Sequence, residues 1–421
     1  MKFTGKSQRA KNVRASLVVV GATLAFFCTV GFLNAFGVFQ QYYKANMLND
    51  KSDSDISWIG SVCIFFLYAL APHAGILVDR VGPTWLLVGG SLGQLVSIFL
   101  TSLCTQYYQL FLAQAALLGI STAFITWPPI GVVSRALPDH RGLALGIVVG
   151  GSSLGGVIWP IMLERLLNHS NVGFGWTIRI VAFTMLPLLA FACVTIVEPP
   201  RPQPQTSPSD SSDITVAEDS ANSRSLDDGA PTQEKKPDSD IWVLLKNNVF
   251  IFLSAGLAIA YIGLFIPFFY ISSYATEKGV SPETSFYLIS ALNGASLLGR
   301  VLPGHLADRW GHYNIIVVAM FASTIVAFSW TAAKSLAGIA VFAVVYGFTS
   351  GFSRQMQGTA MGLLMGCLAV TTLIGSPVGG AILTRYGYLP LSMFTGASLV
   401  VGTVLVAVSR MILDRRVLCS V

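Results

Sequence analysis

The chain has 421 residues, 53% of them hydrophobic and 11% charged, with a net charge of +6. An ordinary soluble domain carries roughly 25% charged residues, so the composition excludes a soluble enzyme and describes a polytopic membrane protein. Nine of the twenty acidic residues fall between Pro199 and Asp240; the remainder holds 22 basic residues against 11 acidic ones, an excess typical of cytoplasmic membrane flanks rather than of a nucleic-acid patch.

In chain order, residues 1–15 carry Lys2, Lys6, Arg9, Lys11 and Arg14 and read as a cytoplasmic tail. The apolar run behind them is of signal-peptide type, but no A-x-A site ends it cleanly and eleven further spans follow, so it reads as an uncleaved first helix. A span of about twenty residues crosses roughly 30 Å of hydrocarbon. Twelve are predicted, near 16–40, 56–78, 83–104, 108–134, 142–165, 176–197, 248–274, 283–303, 312–333, 335–353, 358–384 and 388–410. They divide into an N-terminal six-helix bundle over 16–198 and a C-terminal one over 248–410. The segment 199–247 between them is rich in Pro, Ser and Asp and reads as a disordered cytoplasmic linker, because it cannot bury a core. Residues 411–421 form a second cytoplasmic tail. With the N-terminus in the cytosol, 18 Lys and Arg fall on the cytoplasmic side and 7 outside, with Arg300 inside a span, so the positive-inside rule places both termini in the cytosol. The sequon Asn168-His-Ser170 then lies in an outer loop, as a glycosylation acceptor. The six cysteines show no CxxC or Cys/His spacing, so neither a disulfide framework nor a zinc site is implied.

One short stretch occurs twice. Gly75-Ile-Leu-Val-Asp79-Arg80-Val-Gly82 and Gly304-His-Leu-Ala-Asp308-Arg309-Trp-Gly311 both fit G-x-x-x-D-R-x-G, 229 positions apart. A charged turn is costly in hydrocarbon, so each copy is expected at a membrane surface, steering the chain into the next helix. Two copies in corresponding places mark two repeated halves, as in secondary transporters. The halves are not of equal length. Gly119-Ile-Ser-Thr matches Gly347-Phe-Thr-Ser at an offset of 228, yet Gly142-Leu-Ala-Leu-Gly146 matches Gly358-Thr-Ala-Met-Gly362 at 216. About a dozen residues are therefore missing after Ser353, and the tenth helix is expected to be truncated.

The doubled turn resembles the loop signature of the major facilitator superfamily. The stretch Arg141-Gly-Leu-Ala-Leu-Gly146 through Gly150, Gly151 and Gly155 sets small residues along one helix face, suited to close packing during rocking. It resembles the monocarboxylate porter family, although the residues ahead of it, Ala136-Leu-Pro-Asp139-His140, lack that family's Lys and first Arg. Gly31 to Tyr43, Ile56 to Ser61 and Gly173 to Arg179 are similar to fungal members of the same family.

The resemblance implies a major facilitator fold: an all-α polytopic protein of two six-helix bundles. Asp79, Arg80, Asp308, Arg309 and Arg141 would be cytoplasmic gating charges. Arg300, the one basic residue well inside a span, should face a wet cavity or a partner, or else anchor the cytoplasmic helix end eight residues before Asp308; the resemblance implies the first, since the family's equivalent Arg binds the substrate carboxylate. Asn34, Tyr42, Trp127, Tyr261, Tyr270 and Asn293 are candidates to line an amphipathic pocket. Ser296 stands where animal members have an Asp, and Val38 where they have a Lys; both groups are implicated in proton coupling, so simple lactate and proton symport is not implied. His73 and His305 read as hydrogen-bonded structural histidines, Glu164 as half of a surface pair with Arg165, and Pro128, Pro129 and Pro160 as helix interruptions. No nucleotide loop, nucleophile elbow or metal cluster appears, so no cofactor or enzyme activity is expected and a gradient must supply the energy.

The sequence therefore reads as a secondary transporter, plausibly exporting an acidic or amphipathic secondary metabolite. The alternatives are uptake of a monocarboxylate or riboflavin-like vitamin, and a non-transporting receptor or scaffold. Its partners are a small-molecule substrate, with or without a proton, and the lipid bilayer, with no nucleic acid; the plasma membrane is the expected location.

Overall fold

The computed structural model describes residues 3–138, 140–168, 172–197, 247–310, 312–352 and 361–413, with only the backbone course described for 3–12, 168, 301, 303–310, 312, 352 and 361–363. The predicted linker up to residue 246, the sequon residues after Asn168 and the connection after Ser353 lie outside these residues. Every described element is helical. In the first half these are α1 (Phe3–Cys28), α2 (Val30–Leu33), α3 (Phe36–Tyr42), α4 (Asp53–Ala69), α5 (Ala71–Val81), α6 (Pro83–Thr101), α7 (Tyr107–Leu110), α8 (Leu118–Ala136), α9 (Arg141–Asn168) and α10 (Gly173–Thr195). The second half has α11 (Asn248–Leu264), α12 (Ile266–Glu277), α13 (Pro282–Trp310), α14 (His312–Phe328), α15 (Leu336–Phe352), α16 (Met361–Tyr386) and α17 (Tyr388–Leu413).

Each predicted span holds helix, several of them in more than one piece. Eight described helical stretches are long and apolar enough to cross a membrane, and α4 with α5, bent by 46°, makes a ninth. The described part of the tenth span, α15, has 17 residues, about 26 Å at 1.5 Å per residue; the residues after it lie outside the described ones. Local chemistry sets the ends. Ser52 Oγ accepts the Asp55 amide at 3.1 Å while Asp55 Oδ2 accepts the Ser52 amide at 3.0 Å, a reciprocal cap that starts α4. The last glycine of the first repeated motif, Gly82, has φ +88 and donates to the Val78 carbonyl at 2.9 Å. A side chain is strained in that conformation, and Pro83 follows as the first residue of α6, so the motif is a helix stop joined to a helix start.

The spans break at Thr29, Asn34–Ala35, Leu70 and Phe265, not at the prolines predicted to interrupt them: α8 continues through Pro128 and Pro129, and α9 through Pro160. In lipid a break survives only where the exposed carbonyls find other donors. Near the first, Trp159 Nε1 donates to the Phe27 carbonyl at 2.9 Å and Gln94 Nε2 to that of Cys28 at 2.7 Å. Near Leu70, Trp127 Nε1 donates to the Leu67 carbonyl at 2.7 Å, and at Phe265 Tyr346 Oη donates to that of Leu264 at 2.9 Å. Pro72 and Pro267, at the starts of α5 and α12, account for two of the four breaks, since neither can donate back into the preceding helix.

Within the first half, α1 packs on α9 and α10, and α6 on α8 and α10; within the second, α11 packs on α16 and α17, and α13 on α15. The halves meet chiefly along α4 with α16 and along α9 with α13. By the repeat, α4 and α5 correspond to α13, and α9 to α16, so the two contacts are copies of each other.

Candidate functional site

A cavity of about 880 Å³, counted to its open mouth, lies between the halves at the level of the breaks. From α1 and the broken segment after it come Phe26, Val30, Leu33 and Asn34, and from the matching α11 region Leu257, Tyr261 and Phe265. The triplets 26, 30, 34 and 257, 261, 265 are separated by a constant 231, so one face of the same repeated helix lines the cavity twice. Val149 and Ser152 of α9 correspond in the same way to Met365 and Leu368 of α16 at the offset of 216. Ile64, Leu67 and Tyr68 of α4, with Thr126, Trp127 and Ile130 of α8, close one side.

Arg300 of α13 is the one charged residue in this lining and is 1% exposed. Its Nη1 donates to the Val149 carbonyl at 3.2 Å and to Ser152 Oγ, both on α9. Asn34 Nδ2 donates to the Ser152 carbonyl at 3.2 Å. The site is thus an apolar and aromatic chamber with one fixed cation and a few hydroxyl and amide groups, chemistry suited to an amphipathic anion.

Of the residues expected to line a pocket, Arg300, Asn34, Trp127 and Tyr261 come together here. Three do not. Tyr42 stacks on Phe174 with centroids 5.3 Å apart. Tyr270 donates to the Ser376 carbonyl at 3.0 Å, away from the chamber. Asn293 packs where α9 and α13 touch, its Nδ2 on the Ile289 carbonyl at 3.0 Å. Ser152, Tyr68 and Phe265 were not anticipated. None of the offsets read from the sequence pairs Phe265 with Asn34, which the cavity lining relates at 231, and Ser152 was hidden inside a strip read only as small residues.

Beyond the chamber, on the side away from Asp79, the halves are sealed. Gln41 accepts from Ser272 Oγ at 2.5 Å and donates to Thr276 Oγ1 at 3.3 Å; Ser54 Oγ donates to the Pro377 carbonyl at 2.9 Å; Ser290 Oγ donates to the Val157 carbonyl at 3.0 Å. Phe36 and Phe269 meet edge to face at 5.4 Å. These contacts close the halves on the side of the chamber away from the motif. On the motif side Asp79, Arg80 and Arg141 are exposed, and Asp79 and Arg80 make no ion pair among the described residues; Asp308 and Arg309 lie on the last turns of α13, where only the backbone course is described.

Two expectations are corrected. Glu164 is not at a free surface: it is wholly buried, 3.4 Å from Tyr287 Oη of α13, with the exposed Arg165 at 3.9 Å. The reading from sequence lacked the partner helix that covers this end of α9. His73 is exposed on α5 rather than held in a hydrogen-bonded interior, because α5 ends at the membrane-surface turn. His305 has only its backbone described. Cys28, Cys63 and Cys104 are buried and free, Cys193 is half-buried and Cys367 exposed, with no pairing among them. No group of residues able to hold a metal occurs among the described residues.

The model of the Major Facilitator Superfamily matches residues 17–356. An MFS-type transporter of Aspergillus fumigatus is 53% identical over 96% of this chain and 94% of its own length. The agnestins efflux protein of Paecilomyces divaricatus is 44% identical over 94% of this chain and 88% of its own. The aspyridones efflux protein of Emericella nidulans is 36% identical over 95% and 78%.

Proposed function

Because the chain belongs to the major facilitator superfamily, and so is an integral membrane transporter rather than an enzyme, we propose that it exports an acidic, amphipathic small metabolite by secondary active transport of the monocarboxylate-porter type. The observation that carries this reading is Arg300, one buried cation in an otherwise apolar and aromatic chamber shared by both halves. In this scheme the bundles 16–198 and 248–410 rock about the chamber, joined by the linker 199–247. Arg300 takes the anionic head of the cargo, and Asn34, Trp127 and Tyr261 contact its body. Asp79, Arg80, Asp308, Arg309 and Arg141 act as the latch on the motif side. The excess of basic residues there supports a cytosolic assignment for that side and both termini, and in this reading the described conformation is sealed outward. Two relatives named as efflux proteins favour export as the direction. The plasma membrane is the site of export in this proposal, and a proton gradient can supply the energy.

The test is outward flux of a panel of amphipathic organic acids from cells with and without the gene, with surface expression verified. Faster export of at least one acid is the expected result. No flux of any acid in either direction, together with a signalling defect, would overturn transport in favour of a receptor; inward flux alone would overturn the direction.

A further inference from the structure

We propose that Ser152 is the positioning residue that presents Arg300 to the cargo, and that the two together form a two-point site for a carboxylate. The inference rests on the reading of Arg300 as the anion contact and deepens it. Ser152 is wholly buried, and its hydroxyl is engaged in both directions: it donates to the Val149 carbonyl at 2.7 Å and accepts from Arg300 Nη1. Nη1 also reaches the Val149 carbonyl, at 3.2 Å, so guanidinium, hydroxyl and carbonyl form a closed triangle across the seam between the halves. The Ser152 carbonyl in turn receives Asn34 Nδ2 at 3.2 Å. One residue of α9 therefore fixes both the cation of the second half and the broken first span.

This arrangement has a chemical consequence. An arginine side chain is long and loses much rotamer freedom when held. Here that freedom is already removed before the cargo arrives, which is pre-organisation. The Ser152 hydroxyl and Val149 carbonyl on Nη1 are neutral acceptors, whereas a carboxylate is a stronger, charge-assisted acceptor. An entering carboxylate displaces the hydroxyl from Nη1, and the Ser152 O–H then turns from the Val149 carbonyl to donate to the second carboxylate oxygen. Because Nη1 gives up the Ser152 hydroxyl in this exchange, binding also loosens one tie between the halves beside the chamber. An uncharged ester has no such acceptor, leaves the triangle intact and binds through the aromatic walls alone.

The experiment uses the purified full-length protein and follows tryptophan quenching, Trp127 being in the chamber wall, with 4-phenylbutyrate, 1-naphthoate and their methyl esters as probes. Ser152→Ala is expected to raise the Kd of the acids roughly tenfold, as loss of a hydrogen bond to a charged group does, and to change that of the esters less than about twofold. Ser152→Thr, which keeps the hydroxyl, restores acid binding. An equal rise for acids and esters would mean that Ser152 acts by packing and overturns the inference. Unchanged acid binding in Ser152→Ala beside weakened binding in Arg300→Gln overturns the role of Ser152 and leaves that of Arg300. Unchanged acid binding in Arg300→Gln, or no saturable signal from any probe in the unaltered protein, overturns both.

Discussion

Ser54 at the start of α4 reaches across the seam between the halves, its Oγ donating to the Pro377 carbonyl of α16 at 2.9 Å. The approach is possible because Gly380, one turn further on, lacks a side chain: a Cβ there would sit 2.7 Å from Tyr270 Oη and 2.8 Å from Ser54 Cα. The seal is therefore made by backbone closeness as much as by hydrogen bonds. Gly380→Val should wedge it open. Ser272, buried in the same seal, supplies the reporter as Ser272→Cys. Labelling of that cysteine by an impermeant maleimide added outside is expected to speed up several-fold when Gly380→Val is added; an unchanged rate would mean that α4 and α16 do not seal the outer end.

Arg300 supplies a second prediction, on transport itself. Arg300→Lys keeps the charge but replaces a planar fork by a single ammonium with a shorter reach. It should lose a charge-assisted hydrogen bond of about 1.5–3 kcal/mol, a fall of roughly tenfold or more in kcat/KM for an organic acid. Arg300→Gln, without charge, should fall further. Flux of acids per molecule of surface protein is the measurement, and a normal rate in Arg300→Lys would remove the fork from the mechanism.

The architecture was legible in the sequence because lipid makes every span declare itself: only helices satisfy the backbone there, and the repeated Asp-Arg turn, ending at Gly82, marked where the halves correspond. Arg300 stood out for the same reason, as a charge where charge is costly. What stayed hidden depended on which helix faces which. Glu164 looked exposed because nothing in its neighbourhood reveals that α13 covers it. The first break was hidden too, because it is completed by Trp159 and Gln94, distant in sequence, whereas the breaks at Leu70 and Phe265 had Pro72 and Pro267 beside them. Ser152 lay in a strip whose glycines gave the obvious message, close packing, and that message was correct for Gly155.

Gly155 carries the third prediction. A Cβ on it would lie 2.5 Å from the Phe27 carbonyl oxygen and 2.8 Å from Gly31 Cα, both backbone atoms that no rotamer change can move. Gly155→Val must therefore push α9 away from the broken first span and disturb the Trp159 bond to the Phe27 carbonyl. Overpacking of this kind typically costs about 1–3 kcal/mol. A melting curve of the purified protein should shift down by several degrees, and an unchanged Tm would show that α1 and α9 are not in backbone contact.

Glu164 supplies the last. It is wholly buried where α9 meets α13 near the sealed end, accepting from Tyr287 Oη at 3.4 Å, while the nearby Arg165 has a side chain 64% exposed and stands 3.9 Å away. Removing an ionised carboxylate from water costs several kcal/mol, and the partners of a buried charge commonly repay less than its desolvation. The cost is borne only while the halves are closed on this side, since opening returns Glu164 to water. Glu164→Gln keeps the size and the acceptor for Tyr287 but removes the charge, so it lowers the cost of the closed arrangement and leaves the open one little changed. External labelling of Ser272→Cys should accordingly slow, by roughly threefold or more for each 0.7 kcal/mol gained. Transport should slow with it, because each cycle has to open this end. Faster labelling in Glu164→Gln would mean that the carboxylate holds the halves together, the opposite of the role its burial implies.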